Sequence, residues 1–197
     1  MPLGANKAAI MGVAGVSTAD VVLLYDTDHT NAATVSITSG ITSTYGEYVF
    51  AIYNLNPATD GTHLGFQGDA NGGDNDYNDL LITSTSFNAY HAESDGAAAL
   101  SYEAGHDQAQ AAGFQNISNS SGNGADENNA IKLHLFNPAS TTYVKHFYAR
   151  TSGLYEGDYN QDFFIGGYFN TTSAINAIQF KMSSGNFDAT IKMWGVK

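Results

Sequence analysis

The densest group of oxygen ligands lies in Asp69-Ala70-Asn71-Gly72-Gly73-Asp74-Asn75-Asp76-Tyr77-Asn78-Asp79. Calcium takes about six to eight oxygens, and alternating Asp and Asn can turn several toward one point. Asp74-x-Asp76-x-Asn78, with Asp69 upstream, opens that pattern. The glycine after the third ligand is missing, and Thr85 stands where a closing glutamate would be. A solvated loop held by Asx-turns accounts for the same residues. No motif demands a cofactor, and calcium at Asp69, Asp74, Asp76 and Asn78 is the one candidate. A second group, His91, Glu93, Asp95, Glu103, His106 and Asp107, joins imidazoles to carboxylates. It contains no H-E-x-x-H helix and no diagnostic ligand spacing. Polar groups pinning a loop to a sheet edge are the simpler account.

Tyr155-Glu156-Gly157-Asp158-Tyr159 is the third group. Two tyrosine faces could stack on a pyranose while Glu156 and Asp158 accept its hydroxyls; tyrosines packed at the base of a loop would look the same. Hydrolysis has little support. There is no G-x-S-x-G elbow, and a glycosidase needs two positioned carboxylates. No second glutamate follows Glu156 nearby. The catalytic set is therefore expected to be empty, with a carbohydrate-degrading enzyme kept only as an alternative.

The elements that must hold these residues read as strands. The turn Asn56-Pro57-Ala58-Thr59 recurs as Asn137-Pro138-Ala139-Ser140, each time after an apolar and aromatic run. Proline at the second turn position pre-sets φ, and the asparagine before it can bond the turn backbone. Both copies read as β-hairpins, returning through His63-Leu64-Gly65-Phe66 and through Tyr143 to Tyr148. A third hairpin is read from Ala177–Met182 to Thr190–Val196. Alternation and turn signals along the chain give about nine strands, with one helical turn over Asp107 to Ala112. Gly166-Gly167 suggests a bulge or a close backbone approach. Trp194 is expected to cap the core. No linker divides the chain, so the expected architecture is a single all-β, antiparallel β-sandwich over residues 19–197.

Composition agrees with this reading. The chain has 197 residues, 21 glycines, 3 prolines, 12 tyrosines, 11 phenylalanines and no cysteine. Missing cysteine excludes disulfides, thiolate metal sites and cysteine nucleophiles, and is compatible with folding in a reducing cytoplasm. The net charge is −12, and residues 8 to 131 hold fifteen carboxylates with no lysine or arginine. Such a surface would repel a nucleic-acid backbone, whose binding depends on Lys and Arg. An anionic membrane is disfavoured on the same ground, and no run approaches the roughly 20 apolar residues of a span.

Residues 1–18 carry one lysine followed by mildly apolar small residues. A short secretory leader has this order of parts. An extended attachment arm is the better reading, with Met1, Gly4, Asn6, Lys7, Ile10 and Met11 as partner-binding residues.

The run from Thr171 through Phe187 and on to Val196 resembles the ends of virion structural proteins of marine tailed phages. Phe136-Asn137-Pro138-Ala139-Ser140-Thr141-Thr142-Tyr143-Val144-Lys145-His146-Phe147 and Tyr90-His91-Ala92-Glu93 are similar to the same family. Gly4-Ala5-Asn6-Lys7-Ala8-Ala9-Ile10 resembles attachment peptides on phage structural proteins. The resemblance covers most of residues 45 to 197. It implies a jelly-roll-like fold and a place on the virion, on head or tail, for a protein made in the host cytoplasm. The expected partners are a major capsid or tail protein and further copies of the chain, with a trimer as the simplest assembly. Lys145, Arg150, Lys181 and Lys192 would then meet acidic neighbours. The alternative is a receptor-binding module that recognises host-surface glycans through Tyr155 and Tyr159.

Overall fold

The computed structural model describes residues 20–70 and 76–197. The chain forms β1 (Val21–Ala32), β2 (Val35–Ile37), β3 (Glu47–Pro57), β4 (Leu64–Asp69), β5 (Ile82–Ala92), β6 (Ala98–Tyr102) and β7 (Ala109–Ala111). It continues through β8 (Gln115–Asn116), β9 (Asn129–Phe136), β10 (Lys145–Tyr155), β11 (Tyr159–Phe169), β12 (Ala177–Met182) and β13 (Phe187–Val196). No helix occurs among the described residues.

These strands make two antiparallel sheets, a β-sandwich. The large sheet runs β1-β13-β3-β9-β10-β11-β5-β6, with β7 also on β5. The small sheet runs β2-β12-β4-β8. Side chains alternate between faces with period two, so one face of each sheet supplies the core. Ile131, Leu133 and Leu135 of β9 point inward, as their spacing predicts. Phe50, Ile52, Ile191 and Met193 join them from the large sheet, and Leu64, Phe66, Ile178 and Phe180 from the small one. Phe66 sits between Phe147 and Phe169 at ring-centroid distances of 5.0 and 5.9 Å, edge to face with both.

The two Asn-Pro turns do different things. After Asn137-Pro138 the chain returns in plane, and β9 and β10 pair from Asn129–Gly153 to Leu135–Phe147. After Asn56-Pro57 it leaves the sheet instead. Residues 58–63 carry it across to β4, which pairs with β12 and β8 and not with β3. The closing pair behaves in the same way: β12 belongs to the small sheet and β13 to the large one. Two of the three expected hairpins are thus arches. Both strands of an arch turn an apolar face toward the core, so Phe50 of β3 meets Phe180 of β12 across the sandwich at 5.7 Å. Three arches, β1–β2, β12–β13 and β3–β4, stack in matching order through both sheets.

Further expectations are corrected by the same geometry. The segment read as a helical turn contains β7, which adds to the free edge of β5 at Ile82 and Thr83. The Thr83 hydroxyl accepts both the backbone N–H and the side-chain amide of Gln110, drawing that segment flat. Trp194 faces outward beneath the Lys132 ammonium, 5.3 Å from the ring centroid, and does not cap the core. Gly166-Gly167 makes no bulge, since β11 runs in unbroken register with β5 and β10. The close approach is real at Gly167, where a Cβ would stand 2.7 Å from the Thr83 carbonyl oxygen and 2.9 Å from Phe147.

The basic side chains expected to meet a partner are engaged within the chain. Lys145 is fully buried and donates to the Tyr143 and Thr171 carbonyls at 2.7 and 3.0 Å. Burial pushes its ammonium below the usual lysine range. Arg150 forks onto Asp162, Lys192 reaches Asp26 at 3.0 Å, and Lys181 lies over the Phe114 ring.

Candidate functional site: a tyrosine-lined cleft

β10 and β11 are joined by a three-residue loop, Glu156, Gly157 and Asp158. Such loops place one residue in the left-handed region. Here that residue is Asp158, at φ 61°, a conformation Asp tolerates better than most residues. Its N–H donates to the Tyr155 carbonyl and its carbonyl accepts from Glu93 N–H, both at 3.0 Å. Asp158 therefore builds the turn. Glu156 leans the other way, its carboxylate so close to Gly61 that a Cβ there would lie 2.0 Å from Oε2. Neither carboxylate lines the concavity below the loop.

The tyrosines do line it. Tyr155 and Tyr159 close the hairpin as its last pair, with rings 5.7 Å apart and nearly perpendicular. Tyr90 of β5 meets Tyr159 from the other side, also at 5.7 Å. Together with Asn88, Glu103, Asn119 and Gln161 they enclose a cleft of about 320 Å³, at the lower end of the roughly 300–1,000 Å³ usual for small-molecule sites. The cleft lies on the inner face of the large sheet. Along β5 that face changes from Ile82 to Ser84, Ser86, Asn88 and Tyr90, and these polar residues are met by the stretch 103–121.

That stretch is tied down by amides. Ser84 Oγ donates to Gln115 Oε1 at 2.6 Å, and Gln115 Nε2 donates to the His106 carbonyl at 2.8 Å. Gln161 Nε2 donates to the Asn119 carbonyl at 2.9 Å, which leaves Gln161 Oε1 to accept Asn88 Nδ2 at 3.1 Å. The chain of donors fixes the Asn88 amide with Oδ1 toward the remaining side. This atom is buried and accepts from no donor among the described residues. Glu103 takes the Ser101 hydroxyl on one oxygen at 2.6 Å.

Beside the cleft, His63 and His106 stack edge to face at 4.7 Å, and His106 meets Phe163 at 5.4 Å. His63 Nδ1 accepts the Ser120 N–H at 2.8 Å, so this nitrogen is unprotonated. Burial, and secondarily the neighbouring His106, push His63 from 6.5 down to about 4. Burial also lowers His106, against the opposing pull of Glu103 and Asn119. Between about pH 6.5 and 4 the unfolded chain binds more protons than the folded one. The stabilising contribution is complete above that window and is lost as the pH falls through it. Melting temperature should therefore drop more between about pH 7 and about pH 4.5 in wild type than in His63→Asn. Equal drops would refute the assignment.

The other candidates from the sequence are dispersed. His91 pairs with Asp95 at 3.3 Å on the exposed side of the β5–β6 turn. Asp107 accepts the Tyr102 hydroxyl. No group of three metal-ligating side chains is found among the described residues. Asp69 is fully buried at the end of β4, while the Asp76 carboxylate accepts the Asn78 N–H at 3.2 Å in an Asx-turn. Asp74 lies outside the described residues, as do Met1, Gly4, Asn6, Lys7, Ile10 and Met11 of the arm. A second concavity, of about 380 Å³, crosses the outer face of the large sheet. It is floored by the small residues Ala51, Ala130 and Ser152 and walled by the paired Arg150 and Asp162.

Fold and site define the class: an acidic two-sheet β-sandwich with a polar, tyrosine-walled cleft at one end. No known family model matches the chain, and no curated protein matches it.

Proposed function

We propose that this chain is a non-enzymatic structural protein of a tailed-phage particle, anchored to the capsid or tail by residues 1–18 and displaying the sandwich as a rigid knob. The resemblance of the closing strands to virion proteins motivates this reading, and one structural observation carries it. β1, the strand that follows the arm, pairs with the last strand, β13, from Val21–Val196 to Ala32–Phe187, with register shifts between Leu23 and Tyr25 and between His29 and Ala32. At its root, the Lys197 N–H donates to the Asp20 carbonyl at 2.9 Å. A pull on the arm along the axis of β1 would load this ladder in shear, with many hydrogen bonds resisting at once, as an anchored knob requires. Symmetric copies, a trimer in the simplest case, would gain avidity because one seated arm raises the local concentration of the next. Deleting residues 1–18 should leave a folded domain whose melting temperature is within a few degrees of the full chain, yet which no longer joins particles. Incorporation of the truncated chain at the full-length level would overturn the anchor.

The cleft favours a second reading, a knob that recognises host-surface glycans. Its support is the convergence of Tyr90, Tyr155 and Tyr159. Glu103 is the single carboxylate among the described residues lining that cleft, whereas glycoside hydrolysis generally uses two. This supports binding in preference to turnover.

A further inference from the structure

We infer that the cleft is a binding site for a neutral pyranose, with Tyr90, Tyr155 and Tyr159 as its apolar wall, Glu103 as hydroxyl acceptor, and no affinity for anionic sugars. The inference deepens the recognition reading and rests on it; the anchor proposal is independent of it.

Three features select this ligand. Tyrosine offers a broad apolar face together with a polar tip, which suits a ring having an apolar C–H face and a polar hydroxyl rim. Two tyrosines stand nearly perpendicular to each other, and the third meets Tyr159 at 74°. The cleft is therefore a corner with walls in different directions. It would take the exposed end of a sugar chain better than the flat middle of one.

The polar lining asks for donors. Asn88 is 4 % exposed, and its Oδ1 has no partner among the described residues. Its orientation is imposed by Gln161, which is itself held by the Asn119 carbonyl. That oxygen is too enclosed for a ligand hydroxyl to reach, so the amide serves as a fixed wall of the cleft. Glu103 presents a carboxylate that is occupied at one oxygen by Ser101. A molecule carrying several hydroxyls can serve the other oxygen. An uncharged apolar ligand cannot.

Charge sets the selectivity. Among the described residues no lysine or arginine lines the cleft and one carboxylate does, and the whole chain carries −12. A uronic acid or sulfated sugar would bring an anion against Glu103 with no cation to receive it, and like charges brought together without compensation oppose binding. Aromatic walls with one carboxylate can also hold a quaternary ammonium. Choline tests that alternative directly.

The test is saturation-transfer NMR on the full chain with methyl α-glucoside, methyl α-mannoside, lactose, cellobiose and N,N′-diacetylchitobiose. Glucuronate and choline serve as the charged probes. At least one neutral probe should bind, and its affinity should fall about tenfold or more in Tyr159→Ala. Tyr148→Ala, on the outer face of the large sheet, should leave binding unchanged. Glu103→Gln removes the charge while preserving the shape, so it should narrow the gap between glucuronate and the best neutral probe. Should Tyr159→Ala fail to fold, the Glu103→Gln comparison decides. No binding by any neutral probe, a stronger signal from glucuronate or choline, or equal sensitivity to Tyr148→Ala would each overturn the inference. None of those results would bear on whether residues 1–18 anchor the chain to a particle.

Discussion

Phe66→Ala is expected to lower the unfolding free energy by about 3–5 kcal/mol, the usual range for deleting a fully buried aromatic ring. Phe66 is completely buried. Its ring, on the small sheet, lies edge-on to Phe147 and Phe169 of the large one, so truncation removes two of the aromatic contacts that join the layers. β4 is held on both sides, by β12 and by β8, so the backbone has little freedom to close the gap and most of the cavity should remain. Against a total stability of about 5–15 kcal/mol for a typical domain, that is a large share. Urea denaturation would measure it. A loss below about 1 kcal/mol would mean that the two sheets are not joined through this ring.

The second large effect is expected from a single methyl group. Gly167→Ala would set a Cβ 2.7 Å from both the Thr83 carbonyl oxygen and Ser84 Cβ, and 2.9 Å from Phe147. One of these neighbours is backbone and cannot rotate away, so β5 and β11 would have to separate locally. Overpacking of this kind costs about 1–3 kcal/mol, and a backbone neighbour places it toward the upper end. Gly166→Ala is the internal control, because its Cβ would meet nothing within 4 Å. It should be neutral or stabilising by up to about 1 kcal/mol, through the reduced freedom of the unfolded chain. Equal effects from the two substitutions would contradict the register of β11 on β5.

What the sequence made legible was the alternation within strands. Ile131, Leu133 and Leu135 announce their common face, and the stretch from Tyr48 to Leu55, apolar on both faces, is an internal strand of the large sheet. The destination of each strand was less legible. A hairpin and an arch have the same period-two pattern and the same turn residues. Asn56-Pro57 and Asn137-Pro138 look alike but lead to different sheets. The difference lies in whether the second strand bonds its neighbour's edge or faces it across the core, and alternation does not record this.

The candidate site was half legible. Tyr155 and Tyr159 stood out because two residues of one type flanked a turn. Their neighbours Glu156 and Asp158 were drawn in by chemistry, although the three-residue loop employs them for backbone geometry. Tyr90, Asn88, Glu103, Asn119 and Gln161 were missed as members of this site because they arrive from separate segments. One local signal was available. Ser84, Ser86, Asn88 and Tyr90 repeat at period two, opposite Phe87 and Ala89, so one face of β5 is polar. Ordinary alternation would turn that face to solvent. In the folded chain it faces inward, where the small sheet ends and loop amides replace apolar cover.

Immunogold labelling of purified particles, with an antibody against the sandwich, would test whether this chain is displayed on a phage particle as proposed. The proposal predicts label on the particle: spread over the head for a decoration protein, or confined to the tail for one engaged in host recognition. Particles that carry no label, under conditions where the isolated protein is labelled efficiently, would contradict it.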